Sequence, residues 1–105
     1  MALQSHNIKI ILFSADWCTS CKIIEPTFKS LQDMYSSCAS FLYIDMDDNH
    51  NDTLCNTFSV NKIPLVIVVK NDEEINRHIG TDLQHLRRII IDACDEDSTS
   101  TFTSV

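Results

Sequence analysis

The sequence predicts a single α/β domain with the element order βαβαββα. Three observations carry that expectation: four short runs rich in β-branched and aromatic residues, two apolar stripes at helical spacing, and a turn dipeptide, Asn71-Asp72, between the last two runs. A chain of 105 residues is the size of one domain with one core.

The first run, Ile8 to Phe13, is nearly continuous in apolar residues, as a strand covered on both faces must be. It leads directly into Cys18-Thr19-Ser20-Cys21. Beyond that pair, Ile24, Phe28, Leu31 and Tyr35 recur at offsets of four, three and four, which predicts a helix from the cysteines to about Ser36. Pro26 lies inside it and cannot donate to the carbonyl of Lys22, so a kink is expected there; the competing reading starts the helix at Pro26. Phe41 to Met46 reads as a second buried strand. The polar residues 47–51 then cap a short helix from about Asp52 to Phe58. Leu65 to Val69 is the strongest strand signal, and Glu74 to Ile79 returns antiparallel after the turn. Gly80 breaks the pattern, Thr81-Asp82-Leu83-Gln84 fits a capping box, and Leu86, Ile89, Ile90 and Ala93 predict the final helix. From Asp95 onward the chain is acidic and Ser/Thr-rich with little to bury, which predicts a domain over residues 1–94 and a disordered tail over 95–105.

Composition excludes several classes of function. With 44% hydrophobic residues the chain has enough apolar material for a core, which argues against a wholly disordered protein. Fifteen acidic against eight basic residues leave a net charge of −7, a balance that repels nucleic-acid phosphates and anionic membranes. No apolar run approaches the roughly 20 residues of a transmembrane helix. The N-terminal residues lack the pattern of a secretory leader, so a cytoplasmic, reducing compartment is expected. Five cysteines with one close pair do not resemble the even framework of a stapled secreted domain. On the same reasoning Asn51-Asp52-Thr53 is a chance match to a glycosylation acceptor.

The close pair carries the chemistry. Cys18 would sit at a helix N-terminus, where unpaired backbone N–H groups and the positive end of the dipole stabilise a thiolate. Cys21 follows one turn later and is placed to attack a mixed disulfide formed on Cys18. The alternatives are two core thiols or a zinc half-site, and zinc needs a second ligand pair at comparable spacing that Cys38, Cys55, His50 and His85 do not provide.

Phe13-Ser-Ala-Asp-Trp17-Cys18-Thr-Ser-Cys21-Lys-Ile-Ile-Glu-Pro26, together with Lys62-Ile63-Pro64 before a strand and Gly80 before the last helix, resembles the thioredoxin family. The resemblance runs from about Lys9 to Ala93. It implies a thioredoxin-like fold with a mixed sheet. Because only seventeen residues precede Cys18, it implies the minimal four-stranded version. It further implies a protein-disulfide oxidoreductase with a redox-active Cys18–Cys21 disulfide, Trp17 shielding the pair, and a cis-proline loop at Ile63-Pro64 that pairs with an extended substrate segment. No metal or organic cofactor is implied. The partners would be protein disulfides and either a thioredoxin-reductase-type or a glutathione reductant, with the chain a monomer. A redox-inactive binding module and a glutathione-coupled, glutaredoxin-like enzyme are the competing readings.

Four departures from the family pattern matter. Thr19-Ser20 stands where Gly-Pro is typical, Leu12 where a buried aspartate is usual, Tyr43 where its lysine companion is often found, and Asp72 at a hairpin position usually held by Gly. Cys38, Cys55 and Cys94 read as small buried hydrophobes, with Cys94 the most exposed of the three, and a regulatory disulfide is the alternative. His6, His50, His78 and His85 read as surface residues, and Asp45, Asp47, Asp48 and Asp52 as a solvated acidic surface. Thr103-Ser104-Val105 matches a carboxylate-docking C-terminus over too few residues to carry an assignment.

Overall fold

The computed structural model describes residues 7–103, with side chains through residue 95. Its elements are β1 (Ile8–Ser14), α1 (Thr19–Tyr35), β2 (Ser40–Asp45), α2 (Asp52–Thr57), β3 (Leu65–Lys70), β4 (Glu73–Ile79) and α3 (Leu83–Thr103). A single 3-10 turn, Asn49–Asn51, leads into α2. The strands form one mixed sheet in the order β2-β1-β3-β4, with β1 parallel to β2 and antiparallel to β3, and β3 antiparallel to β4.

Alternation along the central strands separates two apolar layers. Ile8, Ile10 and Leu12 of β1 join Val66 and Val68 of β3 under Ile24, Phe28 and Leu31 of α1 and Leu86, Ile89 and Ile90 of α3. Ile11, Phe13, Leu65, Ile67 and Val69 point the other way, toward Leu54, Cys55 and Phe58 at α2. Helix α1 begins before Pro26, so the reading that starts it at the proline is excluded. The β3–β4 hairpin closes through Asn71 (φ 54) and Asp72 (φ 67), left-handed conformations that Asn and Asp tolerate better than most residues.

Five expectations are corrected. Strand β2 is not buried: it lies at the sheet edge with Leu42 and Tyr43 exposed, and only Phe41 and Ile44 partly covered. Its apolar run reflects partial cover on both faces: Phe41 and Tyr43 meet the Phe28 ring edge-on at 5.4 and 5.0 Å, and Ile44 packs on the α2 side. Cys38 and Cys94 are not free: they form a disulfide across a Cα–Cα distance of 6.1 Å. Cys94 is buried rather than exposed, because it follows Ala93 on the inner face of α3. His78 is buried against His85 and Gly80. The N-cap of α3 is Asp82 rather than Thr81, with its carboxylate accepting from the N–H groups of Gln84 and His85 at 3.1 and 3.2 Å. The backbone of α3 runs on to Thr103. His6 and the terminal Ser104-Val105 lie outside the described residues.

Candidate active site

The end of β1 delivers the chain into α1 through a tight connection in which Cys18 N donates to Ala15 O at 3.1 Å. Cys18 is the N-cap of α1, with extended backbone (φ −87, ψ 104) and its Sγ accepting from the backbone N–H of Cys21 at 3.1 Å. A sulfur therefore occupies the position where a Ser or Asp oxygen usually satisfies an orphan helix donor. Cys18 and Cys21 are joined as a disulfide across a Cα–Cα distance of 5.3 Å. Exposure separates the two sulfur-bearing residues: Cys18 retains 6% of its surface and Cys21 none. Cys21 also opens the buried stripe of α1 that continues through Ile24, Phe28 and Leu31.

Trp17 is 67% exposed beside the pair, and its indole Nε1–H donates to Asp47 Oδ1 at 3.2 Å. Asp47 is held in turn by its own backbone N–H, which donates to Asp45 Oδ1 at 2.9 Å. The acidic cluster read as a solvated surface thus orients the tryptophan. A cleft of about 150 Å³ lies between Trp17, Met46, Val60 and Ile63. Ile63 and Met46 pack against both the Cys18–Cys21 cluster and the α2-side core, so the cleft and the disulfide share a wall.

The Ile63–Pro64 peptide is cis, and buried Pro64 sends its carbonyl to the N–H of Gly80 at 3.0 Å. Gly80 has φ 102, a conformation that favours glycine. Its carbonyl faces His78 Nε2 at 2.8 Å, while His78 Nδ1 lies 2.7 Å from His85 Nδ1. Nε2 must carry a proton to donate to Gly80 O, so in the neutral pair His78 Nδ1 accepts from a protonated His85 Nδ1. Burial pushes the His78 pKa down, the Gly80 carbonyl opposes that shift, His85 adds to it and Asp82 opposes it. Cys55 packs its sulfur 3.3 Å from Met46 Sδ, and burial, followed by the charge of Asp52, raises its pKa.

The leucine that stands where a buried carboxylate is usual is visible in the core. Leu12 is fully buried, pairs with Tyr43 on β2 and Val66 on β3, and faces the α1 layer whose stripe begins at Cys21. A phenol carries no positive charge in either protonation state, so Tyr43 supplies no cation there; burial, then the charges of Glu25 and Asp33, raise its pKa and keep it neutral. Glu25 accepts from Ser14 Oγ at 2.7 Å nearby.

The structure brings Trp17, the cysteines and Ile63-Pro64 to one end of the sheet. Gly80, which the resemblance includes, joins this constellation together with Asp47 and the His78–His85 pair, which the sequence reading left as surface residues. Trp17 and Asp47 are 30 residues apart and no spacing rule links them, although the Trp indole's need for an acceptor was a usable hint.

The family model described as Thioredoxin matches residues 1–92. Thioredoxin H2-1 of Oryza sativa subsp. japonica is 33% identical over 101 residues, spanning 96% of this chain and 70% of the relative. A thioredoxin of Staphylococcus haemolyticus is 34% identical over 74 residues, 70% of this chain and 69% of its own. Among solved structures, thioredoxin NaTrxh from Nicotiana alata superposes with a TM-score of 0.75 at 26% identity, covering 85% of this chain and 75% of that one. The matched segment contains the dithiol at the head of α1 and the cis-proline loop beside it, and on these grounds the chain belongs to the thioredoxin family.

Proposed function

We propose that Cys18 is the attacking sulfur, Cys21 the resolving sulfur, Trp17 the shield of the pair and Ile63-Pro64 the edge that positions an extended substrate segment. The chain is a protein-disulfide oxidoreductase working through its Cys-Thr-Ser-Cys dithiol. The observation that supports the finer roles best is the placement of Cys18: N-cap of α1, keeping a small accessible surface where Cys21 keeps none, and packed with Ile63, which also lines the cleft beside Trp17. In the reduced form its Sγ is next to free helix N–H groups, which favour thiolate over thiol. That thiolate attacks a substrate disulfide, forming a Cys18–substrate S–S bond and expelling the substrate's other sulfur as a thiolate. Cys21, deprotonated, then attacks Cys18 Sγ, closing the Cys18–Cys21 bond and releasing the second substrate sulfur as a thiolate, which takes up a proton. The substrate gains two electrons and the enzyme loses two.

An external dithiol or glutathione system restores the reduced pair. The domain is assigned to residues 1–94, acting as a cytoplasmic monomer; among the described residues no helix is long and apolar enough to cross a membrane. A redox-inactive adaptor has no need of two sulfurs held at bonding distance at a cleft, and this favours the enzyme. The test is insulin reduction with dithiothreitol, paired with substrate trapping. Cys21→Ser is expected to accumulate a mixed disulfide with substrate and Cys18→Ser none. Trapping by Cys18→Ser would reverse the roles, and absence of turnover would favour the adaptor.

A further inference from the structure

Cys38 and Cys94 lie 56 residues apart in sequence and belong to no motif, yet the fold brings their Cα atoms to 6.1 Å and joins them as a disulfide. Cys38 sits just past α1, its N–H donating to Tyr35 O at 2.9 Å, and is partly exposed. Cys94 lies on the inner face of α3 with 4% of its surface accessible. The bond therefore ties the exit of α1 to the far part of α3, at the edge of the layer that the two helices share. We propose that Cys38–Cys94 is a second, reversible redox site that exchanges with glutathione, with Cys38 as the entry sulfur and Cys94 as the resolving one.

The active-site pair cannot reach it within one molecule. Helix α1 has 17 residues and separates Cys18 from Cys38 by its full length, about 25 Å at ~1.5 Å per residue. An external oxidant is required, and glutathione disulfide supplies a balanced step. The Cys38 thiolate attacks one glutathione sulfur, forming a protein–glutathione S–S bond and releasing one glutathione thiolate. The Cys94 thiolate then attacks Cys38 Sγ, releasing the second. The two cysteine protons pass to the released glutathiones, so the protein dithiol loses two electrons and one glutathione disulfide gains them. The difference in exposure sets the order: a tripeptide disulfide meets Cys38, while Cys94 is shielded by the core.

The test uses the full chain with Cys18→Ser and Cys21→Ser, which removes the first pair and leaves Cys55 as a thiol present in every state. The protein is equilibrated in glutathione buffers of graded ratio, quenched with an alkylating agent in denaturant, and its free thiols are counted by mass. The expected result is a reversible loss of two thiols, with Cys55 still alkylated. Adding Cys94→Ala should leave glutathione bound to Cys38, whereas Cys38→Ala should leave Cys94 unmodified. The oxidised form should melt roughly 10 °C or more above the reduced form, because the bond restrains a long loop of the unfolded chain. Thiols that stay free at every ratio, a bond that opens only in denaturant, or capture of glutathione by Cys94 would each overturn the proposal.

Discussion

Acidification should weaken this fold through His78, and the size of the effect follows from its surroundings. The side chain is buried with Nε2 against Gly80 O and Nδ1 against His85, and burial is the leading cause of its lowered pKa. A histidine whose pKa is lower folded than unfolded contributes stability that is fully present above the unfolded value and is lost as pH falls below it. That value is about 6.5, so the loss starts near there and levels off below the folded pKa. One extra proton on the unfolded chain sets a ceiling of about 1.4 kcal/mol per pH unit, or about 1.4 kcal/mol in all by pH ~5.5. For a domain of this size that corresponds to about 5–10 °C in Tm. Doubly protonated, the pair would bring two N–H groups face to face at 2.7 Å, so the loss should be accompanied by loosening of Gly80 and of its bond to Pro64. The assay is urea unfolding at pH ~7.5, ~6.5 and ~5.5 for the parent and His78→Gln, which keeps a side-chain N–H donor but does not titrate. The two proteins differ only at position 78, so the difference between their curves reads the titration of the His78 site. The variant should start less stable and lose less on acidification. Parallel curves for the two proteins would refute the reasoning.

Three further outcomes are expected. Leu12→Asp should speed resolution by Cys21 near neutral pH by placing a proton acceptor in the layer under α1, while costing about 2–5 kcal/mol for the lost leucine and the buried acid without a cationic partner; stopped-flow rates no faster than the parent's would show that position 12 does not serve Cys21. Asp82→Ala should destabilise by about 1 kcal/mol through loss of the α3 cap, with Thr81→Ala nearly silent, as read by thermal melts. Asp47→Ala should release the indole of Trp17, seen as a changed fluorescence maximum and a higher KM for protein disulfides with little change in the melting curve; an unchanged spectrum and KM would mean the hydrogen bond orients nothing.

What the sequence determined by itself was what neighbours along the chain decide. The offsets of Ile24, Phe28 and Leu31 encode the buried face of α1, the two-residue gap in Cys18-Thr-Ser-Cys21 brings both sulfurs onto one turn, and Asn71-Asp72 suits a left-handed hairpin turn. These features rest on backbone geometry and are readable without knowing what lies across the core. The same periodicity reports that a face is apolar but not which neighbour covers it. That is why the run Phe41 to Met46 reads as a buried strand although β2 is an edge. Other features were decided only when the sheet stacked distant segments. The fold pairs Cys38 with Cys94, sets Trp17 on Asp47, and buries His78 where its imidazole bridges His85 and the Gly80 carbonyl behind Pro64. Such contacts join residues whose separation along the chain carries no signal, because side chains meet through packing of the two layers on β1 and β3 and not through any local repeat.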